Sequence, residues 1–351
     1  MKKVAIIGTV GIPACYGGFE SLVENLTKNT SREIKYTVFC SSRSYEKKFL
    51  HHNNAELIYL PLKANGVQSI FYDILSLFKC LFIKPDVILI LGVSGCIFLP
   101  FFMAFSRSKV VTNIDGLEWK RDKWGTWTKR FLKWSEAIAV KFSNVVVTDN
   151  QAISDYVLFE YSVKSNVISY GGDHALRDIN LELKNERYAL GLCRNEPENN
   201  VEMILEAFAK SGEKIKFVGN WNSSDFGCSL KTKYCNYQNI ELLDPIYDLD
   251  ELYRLRRQSS IYLHGHSAGG TNPSLVEMMH FGIPILAFDC NFNRYSTDNK
   301  ASYFKTSDEL VNLLNSAKNG LFHDNGQDMK KIALERYTWN KISTAYEKTY
   351  S

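Results

Sequence analysis

Residues 3–27, KVAIIGTVGIPACYGGFESLVENLT, pass from an apolar run closed by glycine, through a glycine-rich turn, into apolar residues at helical spacing. Lys3–Gly8 reads as a buried strand, and Phe19, Leu22, Val23 and Leu26 line one face of a helix starting near Gly18. Strand, glycine turn and helix in that order open a parallel α/β sheet. Working outward, strand candidates recur at Lys35–Cys40, Glu56–Leu60, Asp86–Leu91, Lys109–Ile114 and Asn144–Thr148, with helical patterns between most of them. Their nearly continuous apolar character predicts a sheet covered on both faces. The pattern breaks after Val167–Tyr170, at Gly171-Gly172-Asp173 and a polar stretch to Arg187, which reads as a linker. It restarts with Tyr188–Cys193, Val201–Ala209, Ile215–Val218, Ile240–Leu242, Ile261–His264, Pro273–Phe281 and Pro284–Ala287. The expectation is an α/β chain of two doubly wound, Rossmann-like domains facing a cleft, over 1–170 and 171–327. A last helix, about Asp328–Tyr350, occupies 328–351.

Composition narrows the class. The chain has 351 residues, 45% hydrophobic and 23% charged, which excludes wholesale disorder and collagen-like repeats. Eight scattered cysteines with no CxxC pair argue against a zinc ribbon or a disulfide scaffold. Met1–Gly8 is already strand, so no secretory signal is expected. Ile83–Phe105 is apolar but interrupted by Lys84, Pro85, Asp86, Gly92, Gly95 and Pro100, so it reads as strand, loop and buried helix rather than a membrane span. Residues 1–170 carry 21 Lys+Arg against 14 Asp+Glu, and residues 171–351 carry 21 against 24. Only the basic first half is expected to meet an anionic partner, such as phosphates or a membrane surface.

The turn from Gly8 to Glu20 offers backbone N–H groups and a helix N-terminus to an anion. A dinucleotide fold would want GxGxxG here and an acid at the end of the second strand, which instead ends Phe39-Cys40-Ser41-Ser42. NAD is therefore disfavoured, and a tight turn permitted by glycine is the plainer alternative. Asp115 and Glu118 follow a strand at the edge where open sheets bind ligands, although a surface turn would look the same. Trp119–Phe142 carries Lys120, Arg121, Lys123, Lys129, Arg130, Lys133 and Lys141, and four of the six tryptophans: Trp119, Trp124, Trp127 and Trp134. Tryptophan beside Lys and Arg suits a membrane interface. The alternative is an amphipathic helix burying Phe131, Trp134, Ile138 and Val140.

In the second half, Arg194 directly follows a strand, where its planar fork can clamp a phosphate. Asn199 and Asn200 precede the next helix. In HGHSAGGTNPSLVE (264–277), Asn272 is an N-cap and Pro273 a first helical residue. Gly269 and Gly270 let the loop wrap a phosphate, Thr271 and Asn272 add polar contacts, and Glu277 can accept ribose hydroxyls. His264 and His266 lack a third ligand at suitable spacing, so zinc is not expected. Asp248-Leu249-Asp250 is a DxD tripeptide, the kind that holds a metal in some nucleotide-sugar enzymes. Here it opens a helix, with Asp248 as N-cap and Glu251 completing a capping-box pattern.

Five segments together resemble the GT-B glycosyltransferases of the large retaining family that includes sucrose and trehalose-related synthases. They are GTVGIPACYGGFE (8–20), NIDGLEWKRDKWG (113–125), RNEPENN (194–200), DPIYD (244–248) and HGHSAGGTNPSLVE (264–277). More narrowly they resemble bacterial rhamnosyltransferases that form β1,4 linkages from dTDP-L-rhamnose. YTWNKISTAYEKTY (337–350) resembles the helix with which such enzymes return to the first domain. The resemblance implies a dTDP-L-rhamnose donor, a lipid-linked sugar acceptor and a peripheral place on the inner face of the bacterial cytoplasmic membrane. Capsule, O-antigen or cell-wall polysaccharide assembly would be the setting. No metal, other cofactor or nucleic acid is expected.

Residue by residue, the resemblance sets Gly17 and Gly18 against the donor phosphates and acceptor, Arg194 on the diphosphate, Ile246 by the base and Glu277 on the ribose. His266, Gly269, Gly270, Thr271 and Asn272 complete the expected donor site. The broad family's first glutamate is Gly269 here, and its lysine beside the phosphate arginine is Asn199; the rhamnosyl group shares both changes. Asp115 is expected to orient the acceptor hydroxyl or stabilise positive charge on the sugar, without acting as a nucleophile. Glu118, Trp119, Lys120, Arg121, Lys123 and Trp124 are expected toward the acceptor and membrane.

Overall fold

The apolar runs of the first half pair as parallel strands. In order they are β1 (Lys2–Ile7), β2 (Ile34–Ser41), β3 (His51–His52), β4 (Ala55–Leu60), β5 (Val87–Leu91), β6 (Lys109–Asn113), β7 (Val145–Thr148) and β8 (Asn166–Val167). The sheet order is β3-β4-β2-β1-β5-β6-β7-β8, parallel except for the short β3, which pairs antiparallel with β4. The connecting helices are α1 (Gly18–Lys28), α2 (Gln68–Ile83), α3 (Leu99–Phe105), α4 (Thr126–Phe142) and α5 (Gln151–Tyr161). Right-handed crossovers put α1 on one face and the other helices on the opposite one. Every residue of β5 is consequently buried. The strand order reverses between β1 and β5, so the loops after them border a switch point, where such sheets bind ligands.

The second half builds an all-parallel sheet from β9 (Ala189–Leu192), β10 (Ile215–Val218), β11 (Ile240–Leu243), β12 (Ile261–His264), β13 (Ile285–Phe288) and β14 (Ser302–Phe304). Its order is β11-β10-β9-β12-β13-β14, with the switch point between β9 and β12. Around it lie α6 (Val201–Ser211), α7 (Asp225–Tyr234), α8 (Leu249–Gln258), α9 (Pro273–Met279), α10 (Asn291–Ser296), α11 (Ser307–Lys318) and α12 (Gly326–Arg336). Phe208, Phe217, Trp221 and Leu310 fill one side of its core. The last helix is α13 (Trp339–Thr349).

This computed structural model describes residues 1–14, 17–120, 124–179 and 187–351, so Arg121 and Lys123 lie outside the described residues. Its contacts form two compact units, Met1–Ser169 with Trp339–Ser351, and Tyr170–Thr338. The expected single helix over 328–350 is two helices, broken at Tyr337 and Thr338. The break has a cause: the Tyr337 carbonyl accepts from the Gly172 N–H at 2.8 Å and lies 2.9 Å from His280 Nε2, while its hydroxyl donates to the Ser296 carbonyl at 2.8 Å. Only 339–351 joins the first unit. Gly172, expected at the start of a linker, is thereby built into the second unit. On α4, Val140 is buried as an amphipathic helix requires, but Trp134 is not: it is 58% exposed. Among the described residues no helix is long and apolar enough to cross a membrane.

Candidate active site

At the carboxyl end of β9, Arg194 extends from the surface with its guanidinium 3.5 Å from Glu196. Its backbone is fixed from behind, since the buried Asn199 amide donates to the Arg194 carbonyl at 2.7 Å. Asn199, expected in the donor site, thus ties this loop through its amide nitrogen. Asn200 Nδ2 donates to the Gly265 carbonyl at 2.8 Å, and Ser267 donates through N–H and hydroxyl to Glu198 O at 2.9 and 2.8 Å. A Cβ on Gly265 would stand 2.1 Å from Asn199 O, so glycine alone allows the two loops this approach. Arg194 and His266 thus come from loops stitched together at the switch point between β9 and β12.

His264 is buried and stacked on His266, with ring centroids 4.5 Å apart and planes 16° from parallel. Burial, then the neighbouring His266, holds the His264 pKa well below the usual imidazole value, so it is neutral at physiological pH. Gly269 takes the left-handed φ of +107°, with Gly270 next to it. Asn272 caps α9 as read from the sequence, accepting from the Ser274 N–H at 3.0 Å. Thr271, expected in the donor site, is buried with its hydroxyl 3.4 Å from that of Ser296. Ile246 is half-buried in the loop between β11 and α8.

Glu277 is held by two side chains that sequence alone does not single out. Arg256 Nη2 donates to one carboxylate oxygen, and His174 Nε2 lies 3.3 Å from the other. Burial pushes the Glu277 pKa up, but Arg256 and His174 outweigh it and hold the carboxyl below its ordinary value. Arg256 was missed because LYRLRRQ reads as a charged helix face; its burial at 6% exposure follows only once α8 meets α9. The DxD tripeptide is a cap: Asp248 accepts from the N–H groups of Asp250 and Glu251 at 2.8 and 2.9 Å, and Asp250 pairs with Arg177 at 2.9 Å. Among the described residues no group of three or more His, Cys, Asp or Glu could hold a metal ion.

In the first unit, Gly17 has φ +140°, and a Cβ there would sit 2.0 Å from Glu20 Oε2. Glu20, not singled out in the sequence, is buried at the start of α1, where Oε1 accepts from Thr9 Oγ1 at 3.0 Å and from the Val10 N–H at 2.8 Å. A carboxylate of the chain itself therefore occupies the positive end of α1, beside Gly18, the first helical residue. Asp115, two residues past the end of β6, is in the left-handed region, φ +63°, a conformation that costs energy outside glycine. Its N–H donates to Asn113 Oδ1 at 3.0 Å, and Asn113 Nδ2 donates to the Tyr346 hydroxyl at 2.8 Å. Trp124 Nε1 donates to Glu118 at 3.2 Å. Trp119 turns inward: the Lys133 ammonium lies 4.7 Å from the ring centroids of both Trp119 and Tyr156, and pairs with Glu160 at 2.9 Å. Lys120 is exposed, its ammonium 5.3 Å from the Trp119 ring centroid.

Residues 173–332 match the family model described as glycosyl transferases group 1. The match falls within the second unit. Residues 1–173 match DUF1972, a domain of unknown function. No curated protein matches the chain in sequence. Among solved structures, sucrose-phosphate synthase from Thermosynechococcus elongatus superposes with a TM-score of 0.83 at 13% identity, over 100% of this chain and 98% of its own. HepE of Anabaena, solved with UDP-glucose, gives 0.74 at 14%, over 99% of both chains. A UDP-N-acetylglucosamine 2-epimerase of Listeria monocytogenes, itself a putative assignment, gives 0.63 at 12%, over 98% and 94%. Two parallel-sheet Rossmann-like domains and the group 1 match support a GT-B glycosyltransferase.

Proposed function

We propose that this glycosyltransferase moves L-rhamnose, with retention, from dTDP-β-L-rhamnose to a lipid-linked sugar carried on a polyprenyl diphosphate. It works at the inner face of the bacterial cytoplasmic membrane in surface-polysaccharide assembly. The observation that supports the donor half best is the switch-point loop pair of the second unit, where Arg194, its backbone fixed by Asn199, stands on a loop tied to Gly265 and Ser267. As the sugar becomes oxocarbenium-like, charge grows on the leaving diphosphate. A guanidinium carried on a fixed backbone stabilises that charge. Glu277, oriented by Arg256 and His174, accepts the ribose hydroxyls. In front-face transfer the leaving phosphate takes the acceptor proton, and Asp115 orients the acceptor hydroxyl or stabilises positive charge at the sugar. The rhamnosyl donor and lipid acceptor rest on the sequence resemblance.

The test is a donor panel, with dTDP-rhamnose, UDP- and GDP-sugars, assayed by nucleotide diphosphate release with and without a lipid-linked sugar. Release that requires dTDP-rhamnose and acceptor together is expected. A UDP- or GDP-sugar preference overturns the donor assignment. Release without acceptor points to the alternative reading, an epimerase like the Listeria neighbour.

A further inference from the structure

The basic, tryptophan-rich segment explains only part of how the first unit would meet a membrane. Between Val67 and Ile83, α2 carries two charged side chains, a buried Asp73 and a half-buried Lys79. Its solvent face is a row of rings: Phe71, Phe78 and Phe82, the last 72% exposed. Beside it α3 adds Phe101 and Phe105, their ring centroids 4.8 Å apart and their planes tilted by 45°, with Phe105 70% exposed. The next helix, α4, which packs on α3, adds Trp134. Apolar rings at this density on neighbouring helices, all on one face of one sheet, demand a cover.

We infer that this α2–α3 aromatic face inserts into an anionic lipid surface, with the basic residues as its rim rather than as the whole attachment. The inference rests on the membrane reading above. The exposed cations Lys84, Arg107 and Lys141 follow or end α2, α3 and α4, while Lys120 and Arg130 lie near the start of α4. An apolar centre bounded by cations is complementary to acyl chains under anionic headgroups. A second copy of the chain fits less well, because a two-fold contact through this face would bring equivalent basic rims toward each other.

Apolar insertion and charge attraction differ in their response to salt. In about 1 M salt the screening length falls to roughly 3 Å, which removes headgroup attraction but leaves apolar burial intact. The full chain is floated with vesicles of phosphatidylcholine alone or mixed with phosphatidylglycerol. Wild type is expected to bind the mixed vesicles and to stay bound at high salt. A variant with Phe78→Ser, Phe82→Ser, Phe101→Ser and Phe105→Ser is expected to partition about 100-fold less and to release entirely at high salt. Circular dichroism and dTDP binding show that the variant is folded. If the folded variant floats as wild type does, the aromatic face is not the contact, while the membrane reading stands. If wild type floats with neither vesicle, the membrane reading itself falls. If wild type self-associates in ultracentrifugation and the variant does not, a second copy covers the face and the inference is overturned.

Discussion

Glu277 carries a consequence for how its role can be tested. Replacing it by alanine removes the proposed ribose acceptor but also strands the buried Arg256 guanidinium, and breaking a buried ion pair costs about 3–5 kcal/mol. Glu277→Gln keeps the shape and one acceptor oxygen. It is expected to raise donor KM with a smaller loss of stability, whereas Glu277→Ala should lower both Tm and donor affinity. Equal dTDP affinity in wild type and Glu277→Gln, by calorimetry, would remove the ribose assignment. Arg194 lies at the surface and Arg194→Ala should fold normally, yet kcat should fall by roughly 100-fold, because in the proposed transfer its contribution grows as the diphosphate departs. Asp73 differs again: burial raises its carboxyl to about 7, against hydrogen bonds from Ser94 and the Gly95 backbone that lower it. The unfolded chain deprotonates this group near the ordinary carboxylate value, so the folded state binds more protons in between. Stability should therefore fall as pH rises from about 4 to 7, and Asp73→Asn should flatten that slope in denaturant titrations.

Among the elements, the start of α8 follows local chemistry. Asp248 is acceptor to two helical N–H groups, and the hydrogen bonds from Glu251 and Asp250 hold its pKa below the ordinary value. Asp248→Asn preserves an N-cap while removing charge, so transfer should persist in that variant and in EDTA; loss in EDTA with rescue by Mg²⁺ would make the tripeptide a metal site after all. The parallel strands were legible because burial on both faces leaves an apolar run that no turn residue interrupts. The two-residue β3 and the three-residue β14 were not, being too short to show a period. Nor did sequence reveal that α2 exposes one of its apolar faces: a helix apolar all round gives no sign of which side lacks a partner. The place of Arg194 just past β9, the α9 cap and the DxD cap could be read locally. Glu20 and Arg256 could not, because each acquires its role from a partner brought by another segment.

At the scale of the whole chain, the last helix belongs by contact to the unit that begins the sequence. Lys2 Nζ donates to the Tyr350 carbonyl at 2.6 Å, and the Tyr36 and Tyr350 hydroxyls meet at 3.3 Å. Tyr346 reaches further, since its hydroxyl accepts from Asn113, whose side-chain oxygen accepts the Asp115 N–H. The C-terminal segment is in this way linked to the left-handed turn that aims Asp115. Tyr346→Phe removes one atom and leaves the Asn113 amide buried without that acceptor, a loss of about 1–3 kcal/mol that lowers Tm. A packing role alone would stop there. If the chain of hydrogen bonds positions Asp115, kcat should also fall about ten- to a hundredfold at a temperature where the variant is fully folded. Affinity for dTDP should stay as in wild type, because the proposed donor contacts Arg194 and Glu277 lie in the other unit. An unchanged kcat beside a lowered Tm would reduce Tyr346 to a core residue and separate the last helix from the chemistry.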